Sequence, residues 1–226
     1  MNITERTLKT QRTARFYIAG TPSDKTNQIL IVLHGYGQLA GDFIKQFDEF
    51  ISDDTLIIAP EALSRFYRAA SGNIIGASWM TKEDRQNEII DYIVYLDSVL
   101  KEVWKETLKQ KNGNEIKISI LGFSQGVHTA VRWFTNSSYH FDKLFLCSND
   151  FPKDADFETL KTKSESAKLF YIYGNSDNVI SQNVYENSVQ LLLKNEIKFE
   201  KIIFNGKHTI NQDILIKAFG VTKYPQ

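Results

Sequence analysis

Seven short runs rich in strand-forming residues alternate with longer segments of helical period. This alternation constrains the fold more than any other feature of the sequence. The run Ile29 to Leu33 contains only aliphatic residues, which is typical of a strand buried on both faces of a sheet. Buried strands separated by helices predict an α/β fold with a mostly parallel central sheet flanked by helices on both faces. The predicted strands are residues 14–19, 29–33, 55–59, 117–121, 144–147, 169–173 and 199–204.

One long helix is predicted to begin near Glu83, where apolar residues start to recur at three- and four-residue steps. Thr81 with Asp84 three residues later predicts an N-terminal cap, a variant of the capping box. Asn112-Gly113 predicts the end of this helix. Shorter helices are expected after Gln125 and over residues 157–163, 182–194 and 210–219.

Residues 61–80 are the one long irregular stretch between predicted elements, and such a segment is usually a binding loop, a lid or disordered. The other connections are too short for a second domain, so residues 1–226 are expected to form a single domain. A chain of this length leaves no room for a large cap domain. We therefore expect an open, shallow site with residues 61–80 as its substantial cover.

Charge and cysteine content exclude several classes of protein. The 27 basic residues balance 27 acidic ones, so the composition does not favour nucleic acid or an anionic membrane as partner. A single cysteine, Cys147, excludes an internal disulfide and a cysteine-based zinc site, and we expect it in the core. The N-terminus does not resemble a signal peptide, and no apolar run approaches the roughly 18 residues that cross a bilayer. These features predict a cytoplasmic protein without stable membrane insertion.

The motif Gly122-Phe123-Ser124-Gln125-Gly126 follows an apolar run and precedes a predicted helix. This is the context of the Gly-x-Ser-x-Gly nucleophile elbow of α/β-hydrolases. Small flanking residues let the strand and the helix approach each other, while the serine takes a strained backbone conformation. We therefore predict that Ser124 is a nucleophile and that the backbone N–H of Gln125 donates to a developing oxyanion.

A nucleophilic serine needs a base, and in this fold the base follows both the serine and the acid in the chain. His208 lies between the last predicted strand and the last predicted helix, where that base is expected. His128 is interpreted as a helix-packing residue and His140 as part of a solvated turn. The alternative for His208 is an exposed loop histidine.

Asp177 is the best candidate for the acid, because it comes directly after the strand at residues 169–173. The acid orients the imidazole and stabilises the imidazolium that forms. Asp177 could also be a plain turn residue, since Gly174-Asn175-Ser176-Asp177-Asn178 consists of residues that are typical of turns. Three competing aspartates follow the preceding strand: Asp150, Asp154 and Asp156.

A second oxyanion donor is expected in the glycine-rich loop Leu33-His34-Gly35-Tyr36-Gly37, which follows the most apolar strand. The backbone N–H of Tyr36 would pair with that of Gln125. The glycine spacing excludes a loop that binds a dinucleotide or a phosphate group. Neither Gly-x-Gly-x-x-Gly with a later acidic residue nor a Gly-Lys-Ser/Thr loop occurs in the sequence.

These motifs together resemble the phospholipase/carboxylesterase family of α/β-hydrolases, which includes acyl-protein thioesterases and lysophospholipases. The resemblance runs from about Gln28 to Phe219. The matching segments are Leu33-His34-Gly35-Tyr36-Gly37, the elbow with its glutamine, Gly174-Asn175-Ser176-Asp177, Gly206-Lys207-His208 and Ala77-Ser78-Trp79. The sequence departs from the family after Asp177, where a proline is missing, and at Lys207 and Val127.

The resemblance implies a serine esterase or thioesterase that forms an acyl-enzyme with the triad Ser124, His208 and Asp177. It implies a small-molecule ester or thioester substrate and neither a metal nor an organic cofactor. An apolar stretch could line the acyl groove or could be ordinary loop packing; it contains Phe66, Tyr67, Ile74, Ile75, Trp79 and Met80. Two alternatives stay open: a peptidase or lactone hydrolase on the same fold, and a non-catalytic binding protein of this fold.

Overall fold

The computed structural model describes residues 1–69, 72–109 and 116–220. Seven of its strands form one sheet in the order β1-β3-β2-β6-β7-β8-β9, and β4 pairs with β5 in a separate hairpin. Neighbouring strands of the large sheet are parallel, except that β1 is antiparallel to β3. The strands are β1 Phe16–Ala19, β2 Gln28–Leu33, β3 Thr55–Pro60, β4 Ser64–Tyr67, β5 Ile75–Ser78, β6 Lys117–Phe123, β7 Lys143–Cys147, β8 Lys168–Gly174 and β9 Glu200–Phe204.

Helices cover both faces of the sheet, because alternate residues of each central strand point to opposite sides. In β2, Ile29, Ile31 and Leu33 join the larger core cluster, whereas Leu30 and Val32 join the smaller one. The larger cluster includes side chains of α2, α3, α4 and α5, and the smaller one includes α1, α6 and a 3₁₀ helix at Ile44–Phe50. The helices are α1 Ala40–Phe43, α2 Arg85–Lys109, α3 Gln125–Asn136, α4 Phe157–Lys163, α5 Gln182–Lys194 and α6 Gln212–Phe219.

The predicted α/β fold with a mostly parallel, doubly covered sheet is confirmed, and each predicted strand matches an observed one to within two residues at either end. Cys147 is buried as predicted. The described residues form no cap domain over the sheet. Within the described ranges, no helix is both long and apolar enough to cross a membrane.

Two predictions about the segment before α2 are wrong. Residues 61–80 are not structureless, because β4 and β5 pair in antiparallel register from Ser64 with Ser78 to Tyr67 with Ile75. Thr81 does not cap the long helix, which begins at Arg85. The Thr81 hydroxyl instead accepts from the backbone N–H of Glu83, before the helix starts.

Other differences concern the ends of helices. The predicted C-terminal signal Asn112-Gly113 lies outside the described residues. The last helix begins at Gln212 rather than at residue 210, because Asn211 caps it by accepting from the N–H of Ile214 at 3.1 Å. The short helices between residues 40 and 50 were not predicted, since they are too short to show a helical period.

The approach of α3 to β2 depends on Gly126. A Cβ atom at this position would lie 2.1 Å from the carbonyl oxygen of Leu33, which is part of the rigid sheet. We predict that Gly126→Ala lowers the free energy of unfolding by about 2–3 kcal/mol, because the helix must move away from the sheet. Urea denaturation at neutral pH measures this loss.

Gly72→Ala is the matched control, because Gly72 has a φ of +70° but nothing within 4 Å of an added Cβ. This substitution should lower the free energy of unfolding only by the conformational cost of a positive φ, about 1 kcal/mol. Equal losses for the two variants would show that the close approach at Gly126 does not limit stability.

Candidate active site

Ser124 connects β6 directly to α3 and has an unusual backbone conformation, with φ of 50° and ψ of −123°. Side chains other than glycine rarely adopt a positive φ, so this residue is strained. Its N–H donates to the carbonyl of Cys147 at 2.9 Å, and its carbonyl accepts from the N–H of Val127 at 2.9 Å. The strain that the motif predicted is therefore present and is held by the backbone on both sides.

His208 and Asp177 lie together at the same edge of the sheet. The imidazole Nδ1 is 2.8 Å from Asp177 Oδ2, and the Asp177 carboxylate is fully shielded from solvent. Asp177 Oδ1 accepts from the N–H groups of Val179 and Ile180 at 2.8 and 2.9 Å. Because the carboxylate accepts at Oδ2, Nδ1 carries the proton and Nε2 is left as the basic nitrogen.

The turns that carry the acid and the histidine are bonded to each other. The N–H of Asn175 donates to Phe204 and that of Ser176 donates to Gly206, each at 2.9 Å. A Cβ on Gly174 would lie 2.5 Å from the carbonyl oxygen of Gly206. These contacts fix the distance between the turn that contains Asp177 and the turn that contains His208.

The His208 ring lies next to the nucleophile elbow, with its centroid 5.0 Å from that of Phe123. Among the described residues, Ser124 Oγ and His208 Nε2 do not hydrogen-bond to each other. Catalytic hydrogen bonds are often long or poorly aligned before substrate binds. The structure thus pairs the predicted base with the predicted acid and places the base against Phe123, the residue before the predicted nucleophile.

The competing aspartates have other partners. Asp150 accepts from His128 Nε2 at 2.9 Å, and this contact lowers the pKa of the Asp150 carboxyl. Asp154 pairs with Arg132 and Arg85. Asp156 caps α4 by accepting from the N–H of Thr159. His140 is exposed, as predicted, in the connection between α3 and β7.

The loop after β2 passes beside the elbow at Gly35. A Cβ on Gly35 would lie 3.0 Å from Ser124 Cβ. The Gly35 N–H donates to Gln38 Oε1 at 2.7 Å, and the Gly37 N–H donates to the carbonyl of Ala77 at 2.9 Å. In the described part of the chain, the N–H groups of Tyr36 and Gln125 donate to no protein acceptor, which leaves both for a ligand oxygen.

His34 holds this loop through hydrogen bonds, and it was not predicted as a site residue. Its Nε2 accepts from the N–H of Ala62 at 3.1 Å, so Nδ1 carries the proton and donates to the carbonyl of Gly35 at 2.8 Å. Burial lowers the pKa of His34. The carbonyl of His34 accepts from Trp79 Nε1 at 2.8 Å. A neutral histidine therefore fixes the backbone just before Tyr36.

The side chain of Gln125 joins the elbow to the end of the hairpin. Its Oε1 accepts from the N–H of Trp79 at 3.0 Å, and its Nε2 donates to Ser78 Oγ and to the carbonyl of Met80, each at 3.0 Å. From the sequence, only the backbone of Gln125 was assigned a role. Ala77-Ser78-Trp79 matched the family, but no sequence pattern connected it to the Gln125 side chain about 46 residues away.

The residues of the apolar stretch predicted to line the acyl groove do not share one environment, and Ile74 is exposed. Phe66 stacks on Tyr36 with ring centroids 5.0 Å apart, and Tyr67 and Ile75 are exposed. Met80 is half-buried. Trp79 is only 2% exposed, so it supports the site from the core rather than offering surface to a ligand. In the described residues, no group of three His, Cys, Asp or Glu side chains is placed to hold a metal ion.

Glu61 is a buried carboxylate that ties three segments together. Its Oε1 accepts from Arg15 at 2.7 Å and from Arg65 of β4 at 2.8 Å, and its Oε2 is 3.3 Å from the N–H of Ala40. Burial alone would raise the pKa of Glu61, but the two guanidinium groups outweigh it and lower the pKa. No sequence pattern pointed to this residue, because its two cations come from separate segments of the chain.

The family model described as phospholipase/carboxylesterase matches residues 17–223. The chain belongs to the phospholipase/carboxylesterase family. Family membership supports a hydrolase of esters on the α/β-hydrolase fold. No curated protein sequence matches the chain significantly.

Solved structures resemble the chain over nearly its whole length. The acyl-protein thioesterase 2 of Zea mays has a TM-score of 0.69 at 16% identity, covering 92% of this chain and 98% of that one. The Bacillus cereus carboxylesterase has a TM-score of 0.62 at 16% identity, covering 91% of each chain. A phospholipase/carboxylesterase of Dyadobacter fermentans has a TM-score of 0.61 at 18% identity, covering 93% and 97%. At these identities the likeness shows the shared fold.

The Glu61 network predicts a pH-dependent loss of stability. The pKa of Glu61 in the folded state lies below its ordinary value of 4.5. Its contribution is therefore fully present above that pH and is lost as the pH falls through the folded pKa. We expect Glu61→Gln to cost about 1–3 kcal/mol at pH 7, and less as the pH falls toward about 3. Urea denaturation over this pH range measures both.

Glu186→Gln is the matched control, because Glu186 forms a partly exposed pair with Lys201. It should cost less than about 1 kcal/mol at pH 7. A loss for Glu61→Gln that does not change with pH would contradict the assigned charge state of Glu61.

Proposed function

We propose that this chain hydrolyses carboxylic esters or thioesters through an acyl-enzyme on Ser124. The observation that carries the proposal is the strained Ser124 beside a histidine whose Nδ1 is fixed on a buried aspartate at 2.8 Å. That constellation serves acyl transfer, because the base is held in the tautomer that leaves Nε2 free to accept a proton. Membership of the phospholipase/carboxylesterase family supports the same reaction class.

In the acylation step, Ser124 Oγ attacks the carbonyl carbon while its proton passes to His208 Nε2. The carbonyl oxygen becomes an oxyanion and accepts from the N–H groups of Tyr36 and Gln125. The imidazolium of His208 is stabilised by Asp177. When the tetrahedral intermediate collapses, His208 gives its proton to the departing alcohol or thiol, and the acyl group stays on Ser124.

In the deacylation step, His208 takes a proton from water, and the resulting hydroxide attacks the acyl carbon. The same two N–H groups hold the second oxyanion. Collapse breaks the bond to Ser124 Oγ, which recovers its proton from His208, and the carboxylic acid leaves. These steps use side chains and backbone groups of the chain alone, so the proposal includes no cofactor.

The apolar side chains beside the oxyanion loop favour an ester with an apolar acyl or aryl group. Tyr36 is 61% exposed and stacks on Phe66 of β4. Tyr67 and Ile75 are also exposed, but side chains alternate along a strand, so this pair lies on the opposite face of the hairpin from Phe66. The half-buried Met80 follows β5 at the point where Gln125 binds the hairpin. We infer that the acyl group lies along the rings of Tyr36 and Phe66.

A fluorophosphonate probe tests the nucleophile. The wild type should be labelled, and Ser124→Ala should not, because the probe phosphonylates an activated serine. Asp177→Asn should lower kcat by about 10⁴-fold, since the asparagine favours the wrong tautomer of His208. Asp156→Asn is the control, because Asp156 only caps α4; it should leave kcat unchanged. Labelling that persists in Ser124→Ala would refute the assignment.

A substrate panel separates the chemistries that share this fold. We expect turnover of p-nitrophenyl esters from acetate to decanoate, and of the matching thioesters, but not of aminopeptidase substrates. Cleavage of amides without cleavage of esters would favour a peptidase. An unlabelled, inactive wild type would favour a binding protein.

A further inference from the structure

The carbonyl oxygen of Ser124 accepts a hydrogen bond that the elbow itself does not supply. The bond from the N–H of Val127 belongs to the first turn of α3. A second bond comes from Asn149 Nδ2 at 2.9 Å. Asn149 follows β7, the strand that neighbours β6 in the sheet. A side chain from the next strand thus holds the backbone of the nucleophile.

This bond also sets the direction of an oxyanion donor. The carbonyl of Ser124 and the N–H of Gln125 belong to one peptide unit, which is planar and trans, so the two groups point in opposite directions. Fixing the oxygen therefore fixes the direction of the N–H. A hydrogen bond accepted by the oxygen also polarises the peptide and strengthens its N–H as a donor.

Asn149 is itself held in place. Its carbonyl accepts from Tyr171 Oη at 2.7 Å, and the Tyr171 ring stacks on that of Tyr185 with centroids 4.7 Å apart. The preceding Ser148 is buried, has a φ of 57°, and donates from its N–H to the carbonyl of Ile172 at 3.0 Å. Two anchored residues thus keep the carboxamide at a fixed position beside Ser124.

We propose that Asn149 is a positioning residue that aims the Gln125 N–H at the oxyanion by holding the peptide unit between Ser124 and Gln125. The inference rests on the proposed esterase function and names a residue that acts through this peptide rather than on the substrate. It accounts for how a backbone with a φ of 50° is kept in one orientation.

Two variants remove the donor. Asn149→Ala deletes the carboxamide, and Asn149→Asp keeps its shape but places an acceptor against the Ser124 carbonyl. Asn195→Ala is the matched control, because Asn195 Nδ2 donates to the backbone carbonyl of Leu191 at 2.8 Å in a similarly half-buried setting at the end of α5. The control loses an equivalent hydrogen bond away from the site.

The readouts are kcat and KM for a p-nitrophenyl ester, Ki for a trifluoromethyl ketone, and thermal unfolding. We expect kcat to fall about 10- to 100-fold in both Asn149 variants, with KM changed by less than about threefold. Ki should rise by the same factor as kcat/KM falls, because the adduct of the ketone with Ser124 carries an oxyanion. Asn195→Ala should shift the unfolding temperature without changing kcat or Ki.

The inference is overturned if both Asn149 variants keep kcat and Ki within twofold of wild type, whatever their unfolding temperature. If Asn149→Ala does not fold, Asn149→Asp decides the question, since it fills the same volume. Failure of the proposed function is seen separately, as a wild type that neither turns over esters nor reacts with a fluorophosphonate, and the inference then falls with it.

Discussion

The site depends on how closely α3 approaches β2. Gly126 lies against the carbonyl of Leu33, and there is no space for a Cβ between them. With the helix fixed there, Ser124 must carry the chain from β6 into α3 in a single residue, and it takes a φ of 50°. Such a conformation costs about 1–3 kcal/mol, which the surrounding structure must offset.

The hairpin and β7 both help to hold that strained turn. The hairpin binds the loop just after Tyr36, where the carbonyl of Ala77 accepts from the N–H of Gly37, and it binds the elbow through the side chain of Gln125. β7 binds the elbow from the other side through Asn149. The two N–H groups assigned to the oxyanion are therefore positioned by segments that are distant in sequence. The hairpin of β4 and β5 is part of the frame of the site.

The sequence predicted the features that repeat or that follow a fixed order. Buried strands are uniformly apolar and can be recognised as such. A Gly-x-Ser-x-Gly elbow is followed later in the chain by an acid and then a histidine, and this order pointed to Asp177 and His208. It did not predict the roles of Glu61, His34 or the Gln125 side chain. Apart from Arg65, four residues after Glu61, and Gly35, next to His34, their partners are 21 to 47 residues away. No local sequence pattern indicates such distant contacts. The hairpin was missed because neither of its strands, Ser64–Tyr67 and Ile75–Ser78, is a continuous apolar run.

The formation of an acyl-enzyme on Ser124 is the central claim, and rapid-quench mass spectrometry tests it most directly. The protein is mixed with a p-nitrophenyl ester, quenched in acid within milliseconds, digested and mapped. The account predicts one added acyl group on the peptide that contains Ser124, formed with the burst of p-nitrophenol and lost as turnover ends. Turnover of the ester with no acyl group on that peptide, or with one on another residue, would contradict it.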